Sequence, residues 1–248
     1  MKVTSIETHK IKPGDSDLFA VLDKYIPKLK EGSIVAVASK IVAICDGRVV
    51  KIGTADKEEL IEAEAEYFLP ASKSKYDVSL TIKDGLLVPT AGIDESNGNG
   101  YYILWPANSQ ETANQVRQHL SKKFSLGKVG VIITDSKTSP SRWGTIGIAI
   151  AHSGFAALKN YIGEPDIFGR KLKMTQANIM DALAVAAVLT MGEGREQTPI
   201  AIIEDVLFVK FQKRNPTKKE LSDLRIAIED DLYAPLLKSV KWRKGKKK

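Results

Sequence analysis

The chain has 248 residues, 43% of them hydrophobic and 27% charged, a composition that excludes a disordered or fibrous protein. Its formal net charge of +7 arises at the end of the chain, because the last eleven residues hold seven cationic side chains and no carboxylate. The single cysteine excludes an internal disulfide framework. No apolar leader follows Met1 and no uncharged run reaches the ~18–20 residues of a membrane span, so we expect a cytoplasmic protein without membrane contact.

The first half of the chain predicts strands and one helix. The apolar run 34–43 predicts a buried strand that ends at a turn, and 48–50 predicts the strand that continues it as a hairpin. The segment 55–67 is rich in Ala and Glu and contains no Gly or Pro, so it predicts a helix. Within 77–87, the sequence Lys83-Asp84-Gly85 indicates a second hairpin.

The second half predicts longer helices around two buried strands. Apolar runs at 129–134 and 200–203 predict the strands, whereas the Gly- and Ala-rich run 144–157 has no clear assignment. Helices are predicted at 110–123, 175–191 and 217–237, the last beginning with the capping-box pair Thr217 and Glu220. Because strands and helices do not alternate regularly, we predict an α+β fold with mixed or antiparallel sheets and packed helices.

Three segments place carboxylates where folding alone gives little reason for them. Asp94 lies in a loop of Ser, Asn and Gly residues, which offers oxygen ligands for Mg²⁺ or Mn²⁺ and lets a phosphate approach the backbone. Asp135 and Ser136 directly follow the predicted strand 129–134, where nucleotide-binding enzymes place a metal-binding aspartate. Glu193 lies between two glycines at a helix C-terminus, where a cation would offset the negative end of the helix dipole. Each segment alone is equally compatible with a plain turn or cap.

The sequence indicates residues that could bind phosphate or a substrate carboxylate less strongly than it indicates the acidic segments. Ser39-Lys40 follows the first predicted strand and places a cation where a phosphate could bind, although the chain has no Gly-x-x-x-x-Gly-Lys-Ser/Thr loop. Arg142 and Arg170 are candidates to hold carboxylates through two parallel hydrogen bonds, and surface ion pairs would explain them as well.

Six segments in a characteristic order support a common interpretation of these signals. They are 91–97, 130–136, 142–147, 154–170, 181–184 and 191–194. In order and spacing, these segments resemble the coenzyme F420-0:gamma-glutamyl ligases, and the resemblance extends from about Lys10 to about Asp205. It implies an enzyme that uses GTP and two divalent cations, Mg²⁺ or Mn²⁺, to join L-glutamate to an acceptor carboxylate through an acyl-phosphate intermediate. It also implies a homodimer.

The resemblance assigns roles to individual residues. As metal ligands it implies Asp94, Asp135, Ser136 and Glu193. As nucleotide contacts it implies Lys10, Ile11, Ser39, Lys40, Asn97, Gly192, Gly194 and Thr198. As catalytic residues we expect Asp94 and Asp135, with Arg142 and Arg170 binding substrate carboxylates.

The chain departs from the family pattern at two places. Ile44 stands where the family usually has a lysine near the nucleotide, which predicts weaker binding of GTP or a weaker preference for GTP over ATP. The segment 99–106 lacks the usual leucine-rich pattern and resembles a bacterial subgroup associated with folate metabolism. The acceptor is therefore expected to be either an F420-0-like compound or a folate.

Two other functions remain open on the sequence alone. The change at Ile44 is also compatible with a nucleotide sensor that has lost turnover, and the basic segment 238–248 is compatible with a protein associated with nucleic acid. Retention of the acidic motifs favours the ligase, and the low aromatic content of 7% argues against specific binding of single-stranded nucleic acid. We expect residues 1–237 to form the catalytic region and 238–248 to form a flexible basic tail.

Overall fold

The computed structural model describes residues 1–15 and 17–246. Its strands in chain order are β1 (Lys2–Ile6), β2 (Ser33–Ala38), β3 (Val49–Lys51), β4 (Tyr67–Leu69), β5 (Leu80–Lys83), β6 (Leu86–Pro89), β7 (Tyr101–Ile103), β8 (Val129–Ser139), β9 (Arg142–Ser153), β10 (Leu158–Asn160), β11 (Gln176–Asn178), β12 (Ile200–Glu204) and β13 (Arg243–Lys244). Its α-helices are α1 (Leu18–Tyr25), α2 (Ser39–Cys45), α3 (Lys57–Glu64), α4 (Ser109–Lys123), α5 (Ile179–Met191), α6 (Lys218–Ser222) and α7 (Ala234–Leu237). None of these helices combines the length and the hydrophobicity needed to cross a lipid bilayer.

A five-stranded central sheet forms the main body, with the strand order β1-β12-β2-β8-β9. Only β2 and β8 run parallel to each other, and the other neighbouring pairs are antiparallel. A four-stranded antiparallel sheet, β13-β4-β5-β6, and two two-stranded sheets, β3-β7 and β10-β11, complete the described part of the chain. These mixed and antiparallel sheets with packed helices confirm the predicted α+β fold.

Helices cover both faces of the central sheet because successive strand residues point to opposite sides. Val35 and Val37 of β2 belong to a core cluster that also includes buried residues of α1 and α4. Ile34 and Ala36 of the same strand belong to a second cluster built largely on α5. The near-continuous apolar sequence of β2 follows from this burial on both sides.

Several predicted elements are confirmed with small changes at their ends. The runs 129–134 and 200–203 lie in β8 and β12, and 110–123 lies in α4, which begins one residue earlier after its N-cap Asn108. The hairpin in 77–87 is formed by β5 and β6, joined at Asp84 and Gly85. The capping box of Thr217 and Glu220 is also present.

The predicted strand 34–43 and its hairpin partner are wrong beyond Ala38. The strand ends there and helix α2 begins at Ser39, so the second half of the apolar run is helical. β3 pairs with β7 instead of continuing from β2 as a hairpin. A short apolar run that is buried on all sides carries no periodicity that separates helix from strand.

The other predicted helices are too long. The segment 55–67 forms α3 and then enters β4, and 175–191 forms β11 before α5 begins after its N-cap Asn178. The segment 217–237 forms only the short helices α6 and α7, separated by turns. None of the residues in α6 and α7 is buried, and a helix without an apolar face has little tertiary packing to extend it.

The unassigned run 144–157 lies mainly in β9, and its glycines allow close packing. A Cβ atom at Gly147 would overlap the carbonyl oxygen of Ala184 in α5. The strand therefore approaches the helix backbone at this point more closely than any larger residue would permit.

The segment predicted as a flexible tail is partly held in the fold. Arg243 and Lys244 pair with Phe68 and Tyr67 of β4, and the Gly245 N–H donates a hydrogen bond to the Glu66 carbonyl. A lysine-rich segment carries no apolar alternation, so no local pattern predicts this strand. Residues 247–248 of the predicted tail lie outside the described residues.

A buried ion group joins α3, β5 and Arg48, the residue directly before β3. Lys83, only 1% exposed, donates to Glu64 Oε2 at 2.6 Å, and Arg48 donates to Glu64 Oε1, also at 2.6 Å. Burial raises the pKa of Glu64, but the hydrogen bonds and charges of Lys83 and Arg48 outweigh burial and hold the pKa below its ordinary value. The carboxylate thus places a negative charge beside the buried Lys83 ammonium.

We expect Glu64→Ala to destabilise the protein by ~3 kcal/mol, because it removes the carboxylate that is bonded to both the buried Lys83 ammonium and Arg48. Denaturant unfolding at pH 7 measures this loss. Because folding lowers the pKa of Glu64, its contribution to the free energy of unfolding is fully present above the unfolded pKa of about 4.3. That contribution is lost as the pH falls towards the pKa of the folded state.

Glu62→Ala is the matched control, because Glu62 forms a more exposed ion pair with Lys246 at 3.7 Å. It should cost no more than about 1 kcal/mol. Equal losses of unfolding free energy in the two variants would show that the buried ion group stabilises the protein no more than an exposed ion pair does.

Candidate active site

A cavity of ≈ 720 Å³ opens at one end of the central sheet and collects most of the residues that the sequence indicated. Those that line it are Lys10, Ile11, Ser39, Lys40, Asp94, Asn97, Asp135, Ser136, Gly192, Glu193, Gly194 and Thr198. They come from five separate stretches of the chain. The structure therefore brings them together, while their roles in binding and catalysis stay predictions.

The parallel pairing of β2 and β8 explains this convergence. Ala38 lies opposite Thr134, so the chain leaves the sheet at Ser39 of α2 beside Asp135, which stays in β8 and pairs with Ile148 of β9. On the other side of β2, the Ala38 N–H donates to the Pro199 carbonyl at 2.9 Å, which holds the loop between α5 and β12 against the same edge. In sheets with parallel strands, ligands commonly bind at such carboxyl ends.

Lys40 and Asp94 form an ion pair within the cavity. The Lys40 ammonium group donates to Asp94 Oδ2 at 2.8 Å and to the Ser96 carbonyl at 2.7 Å. The Ser96 N–H also donates to Asp94 Oδ1 at 2.8 Å. Burial raises the pKa of Asp94, but Lys40 and Ser96 outweigh burial and hold the pKa below its ordinary value, so this carboxylate stays charged.

Asp135 is held by two N–H donors from different parts of the chain. The Trp105 indole Nε1–H donates to Oδ2, and the Ser136 backbone N–H donates to Oδ1 at 2.9 Å. Burial raises the pKa of Asp135 to about 6, although these two hydrogen bonds act in the opposite direction. The nearby Asp94 charge raises it further. Two carboxylates in one cavity thus differ in how readily they accept a proton.

The loop from Gly192 to Thr198 also lines the cavity. Asn97 donates from its side-chain amide to the Gly194 carbonyl at 2.9 Å, and the Gly194 N–H donates to Glu196 Oε2 at 2.8 Å. The Thr198 hydroxyl donates to the Met191 carbonyl, which ties the loop back to the end of α5. Glu193 lies in this loop, lines the cavity and is exposed.

The oxygen-bearing side chains fit the divalent cations that the sequence implies. Asp94, Asp135, Ser136 and Glu193 supply carboxylate and hydroxyl oxygens, which Mg²⁺ and Mn²⁺ prefer. Within residues 1–15 and 17–246, however, no three His, Cys, Asp or Glu side chains already converge as a metal-binding group. The Asp94 carboxylate is instead bonded to the Lys40 ammonium group. Cation binding would therefore require the acidic side chains of the cavity to move closer together.

Arg142 and Arg170 do not line the cavity, contrary to the expectation from sequence. Arg142 lies beside the tip of the β8–β9 hairpin, and Arg170 lies in the exposed connection between β10 and β11. Both side chains are exposed. Proximity to a motif in the sequence does not determine the direction of a hairpin or loop, and the role of these arginines in binding carboxylates stays a prediction.

Ile44 does border the cavity, but it is only 4% exposed. It lies in α2 and clusters with Ala43 and Ile103. Weaker binding of GTP, or a weaker preference for GTP over ATP, because of Ile44 stays a prediction.

Sequence reasoning missed Trp105, which contacts Asp135 directly and is only 2% exposed. Thirty residues separate the two in the chain. No motif in the sequence signals the contact, although a tryptophan in a polar, glycine-rich neighbourhood is a residue whose N–H needs a partner when buried.

We expect Lys40→Met to raise the pKa of Asp94, because burial would then act without the opposing ammonium charge. Carboxyl-detected NMR of aspartate residues measures the change. Lys57→Met is the matched control, since it removes an ion pair with the neighbouring Glu95 at 3.1 Å and should leave the Asp94 titration in place. An unchanged pKa of Asp94 in a folded Lys40→Met variant would contradict this electrostatic account.

Comparison with known proteins shows the family to which this chain is similar. Residues 5–205 match the family model described as F420-0:Gamma-glutamyl ligase. A protein of Methanosarcina barkeri named coenzyme F420:L-glutamate ligase is 36% identical over 88% of this chain and 95% of its own length. Proteins of the same name from Methanopyrus kandleri and Methanocaldococcus jannaschii are each 32% identical, over 78% and 76% of this chain and 82% and 75% of their own. The chain belongs to the F420-0:gamma-glutamyl ligase family.

Proposed function

We propose that this protein is a nucleotide- and metal-dependent ligase that joins L-glutamate to an acceptor carboxylate through an amide bond. The observation that carries the proposal is the convergence of Lys40, Asp94, Asp135 and Glu193 on one cavity in a chain of this family. The names of the relatives support glutamate as the amine substrate and an F420-like compound as the acceptor. A folate is the second candidate acceptor.

The chemistry requires activation of the acceptor, because a carboxylate and an ammonium group do not condense in water without it. In the first step, an oxygen of the acceptor carboxylate attacks the γ-phosphorus of GTP, forms an acyl phosphate and releases GDP. In the second step, the neutral amine of glutamate attacks the acyl carbon, the carbon–oxygen bond to phosphate breaks and a proton leaves the nitrogen. The products are the amide, GDP and inorganic phosphate.

The residues of the cavity fit the demands of phosphoryl transfer, which are positioning and neutralisation of negative charge. Lys40 can exchange its bond to Asp94 for a phosphate oxygen, which leaves the Asp94 carboxylate available to a cation. Gly192 and Gly194 line the cavity without side chains, so a phosphate could approach the backbone closely there. A Mg²⁺ or Mn²⁺ ion held by Asp94, Asp135, Ser136 and Glu193 would neutralise charge on the β- and γ-phosphates.

The proposal is tested by incubating the protein with GTP or ATP, Mg²⁺, L-glutamate and a set of acceptor carboxylates. Mass spectrometry should detect an acceptor that has gained one glutamate residue, together with an equal amount of inorganic phosphate. Asp135→Asn should reduce this turnover by at least about 100-fold, because it removes a negative charge from the cavity while keeping the side-chain shape.

Asp230→Asn is the control, because Asp230 is exposed and lies outside the cavity. Nucleotide binding without product for any acceptor would instead favour a sensor that has lost turnover. Binding to nucleic acid that weakens steeply with salt would favour a role for the basic C-terminal segment.

We also propose that the protein is a homodimer. Large apolar side chains are exposed on the parts of the chain that project from the sheet: Trp143 is 89% exposed, Ile167 92% and Phe168 89%. Exposed apolar surface of this kind commonly marks an interface. Sedimentation at micromolar concentration should give twice the chain mass of 27.2 kDa, and a species of 27.2 kDa would contradict the proposal.

A further inference from the structure

Trp105 links the cavity to the buried ion group of Glu64, Lys83 and Arg48. Its indole Nε1–H donates to Asp135, a cavity residue on β8. Its backbone carbonyl accepts a hydrogen bond from Arg48 Nε at 3.1 Å. The Lys83 ammonium nitrogen lies 5.3 Å from the centre of its ring. The tryptophan therefore touches both the candidate active site and the ion group through separate atoms.

The indole has little freedom to move from this position. Gly92 lies against its N–H edge, where an added Cβ atom would overlap Nε1 and Cε2. Gly92 also has a φ of +71°, a conformation that disfavours other residues. Since Glu64 binds both Lys83 and Arg48, the two cations that contact Trp105 are themselves held in place.

The bond to Trp105 completes the restraint on the Asp135 carboxylate. Oδ1 accepts from the Ser136 backbone N–H, and Oδ2 accepts from Trp105, so each oxygen has one fixed donor. With both oxygens bonded, the carboxylate cannot rotate without losing a hydrogen bond. Each oxygen keeps acceptor capacity that can be directed into the cavity.

We propose that Trp105 is a positioning residue that sets the orientation of the Asp135 carboxylate, and that the Glu64–Lys83–Arg48 group keeps the indole in place. The inference rests on the proposed function of Asp135 in the ligase reaction. Trp105 does not line the cavity, so its effect on the reaction would pass through Asp135. Residues that orient the oxygen ligands of a reacting centre commonly affect its activity 10–100-fold, roughly, when they are replaced.

The test compares two tryptophans that each donate one indole hydrogen bond to an oxygen. Trp105→Phe keeps an aromatic ring beside Gly92 but removes the donor to Asp135. Trp242→Phe is the matched control, since its Nε1–H donates to the Leu237 carbonyl at 2.7 Å, away from the cavity. We expect Trp105→Phe to lower kcat about 10–100-fold with little change in the KM for nucleotide. Trp242→Phe should leave kcat unchanged.

A second measurement does not depend on turnover. The chain has three tryptophans, so a ¹⁵N–¹H spectrum should contain three indole signals, and the signal absent from Trp105→Phe identifies Trp105. Asp135→Asn should shift this signal and leave the Trp242 signal in place. If Trp105→Phe does not fold, Trp143→Phe and Trp242→Phe identify the other two signals and so leave that of Trp105. A Trp105 signal that does not respond to Asp135→Asn would overturn the inference.

The outcomes separate this inference from the proposed function. If Asp135→Asn abolishes turnover and Trp105→Phe retains the wild-type kcat, the positioning role is wrong and the ligase proposal stands. If Asp135→Asn retains full turnover, the proposed function of Asp135 is wrong. The positioning role then fails with it, even if the indole signal shifts.

Discussion

The parallel pairing of β2 with β8 is the constraint on which the candidate active site depends. It places the first turn of α2 beside Asp135, and the other neighbouring pairs of the central sheet are antiparallel. A parallel pair cannot be joined by a tight turn and requires a crossover connection. Here the crossover is residues 39–128, which contain β4, β5 and β6 of the four-stranded sheet as well as Asp94 and Trp105. These three strands are thus part of the connection that supplies cavity residues, not an appendage to a finished domain.

Charge is distributed unevenly within the cavity, and the cause is the position of one ammonium group. Lys40 bonds directly to Asp94, whereas Asp135 receives only N–H donors that carry no full charge. The pKa of Asp94 is therefore lowered in spite of burial, and burial raises that of Asp135 to about 6. A phosphate that attracted Lys40 away from Asp94 would change the electrostatic environment of both carboxylates.

The sequence predicted which residues share the cavity better than it predicted how they interact. Asp94, Asp135 and Glu193 each follow an apolar element, and this local pattern is visible in the chain. The bond from Lys40 to Asp94 spans 54 residues and depends on how the crossover folds back, which no local pattern records. Trp105 was missed for the same reason. The helix α2 was mistaken for a strand because its residues are buried on nearly every side, which removes the periodicity that distinguishes the two.

The pairing of β13 with β4 has a consequence for how the molecule behaves among its neighbours. Strand β4 would otherwise be the outer strand of the small sheet, with unpaired N–H and C=O groups open to another chain. The strand that covers it is two residues long, Arg243 and Lys244, and both side chains are exposed cations. A short, charged outer strand is a poor template for further pairing. The basic C-terminal segment thus protects the sheet against edge-to-edge aggregation, and a shortened chain would lose this protection at Tyr67–Leu69.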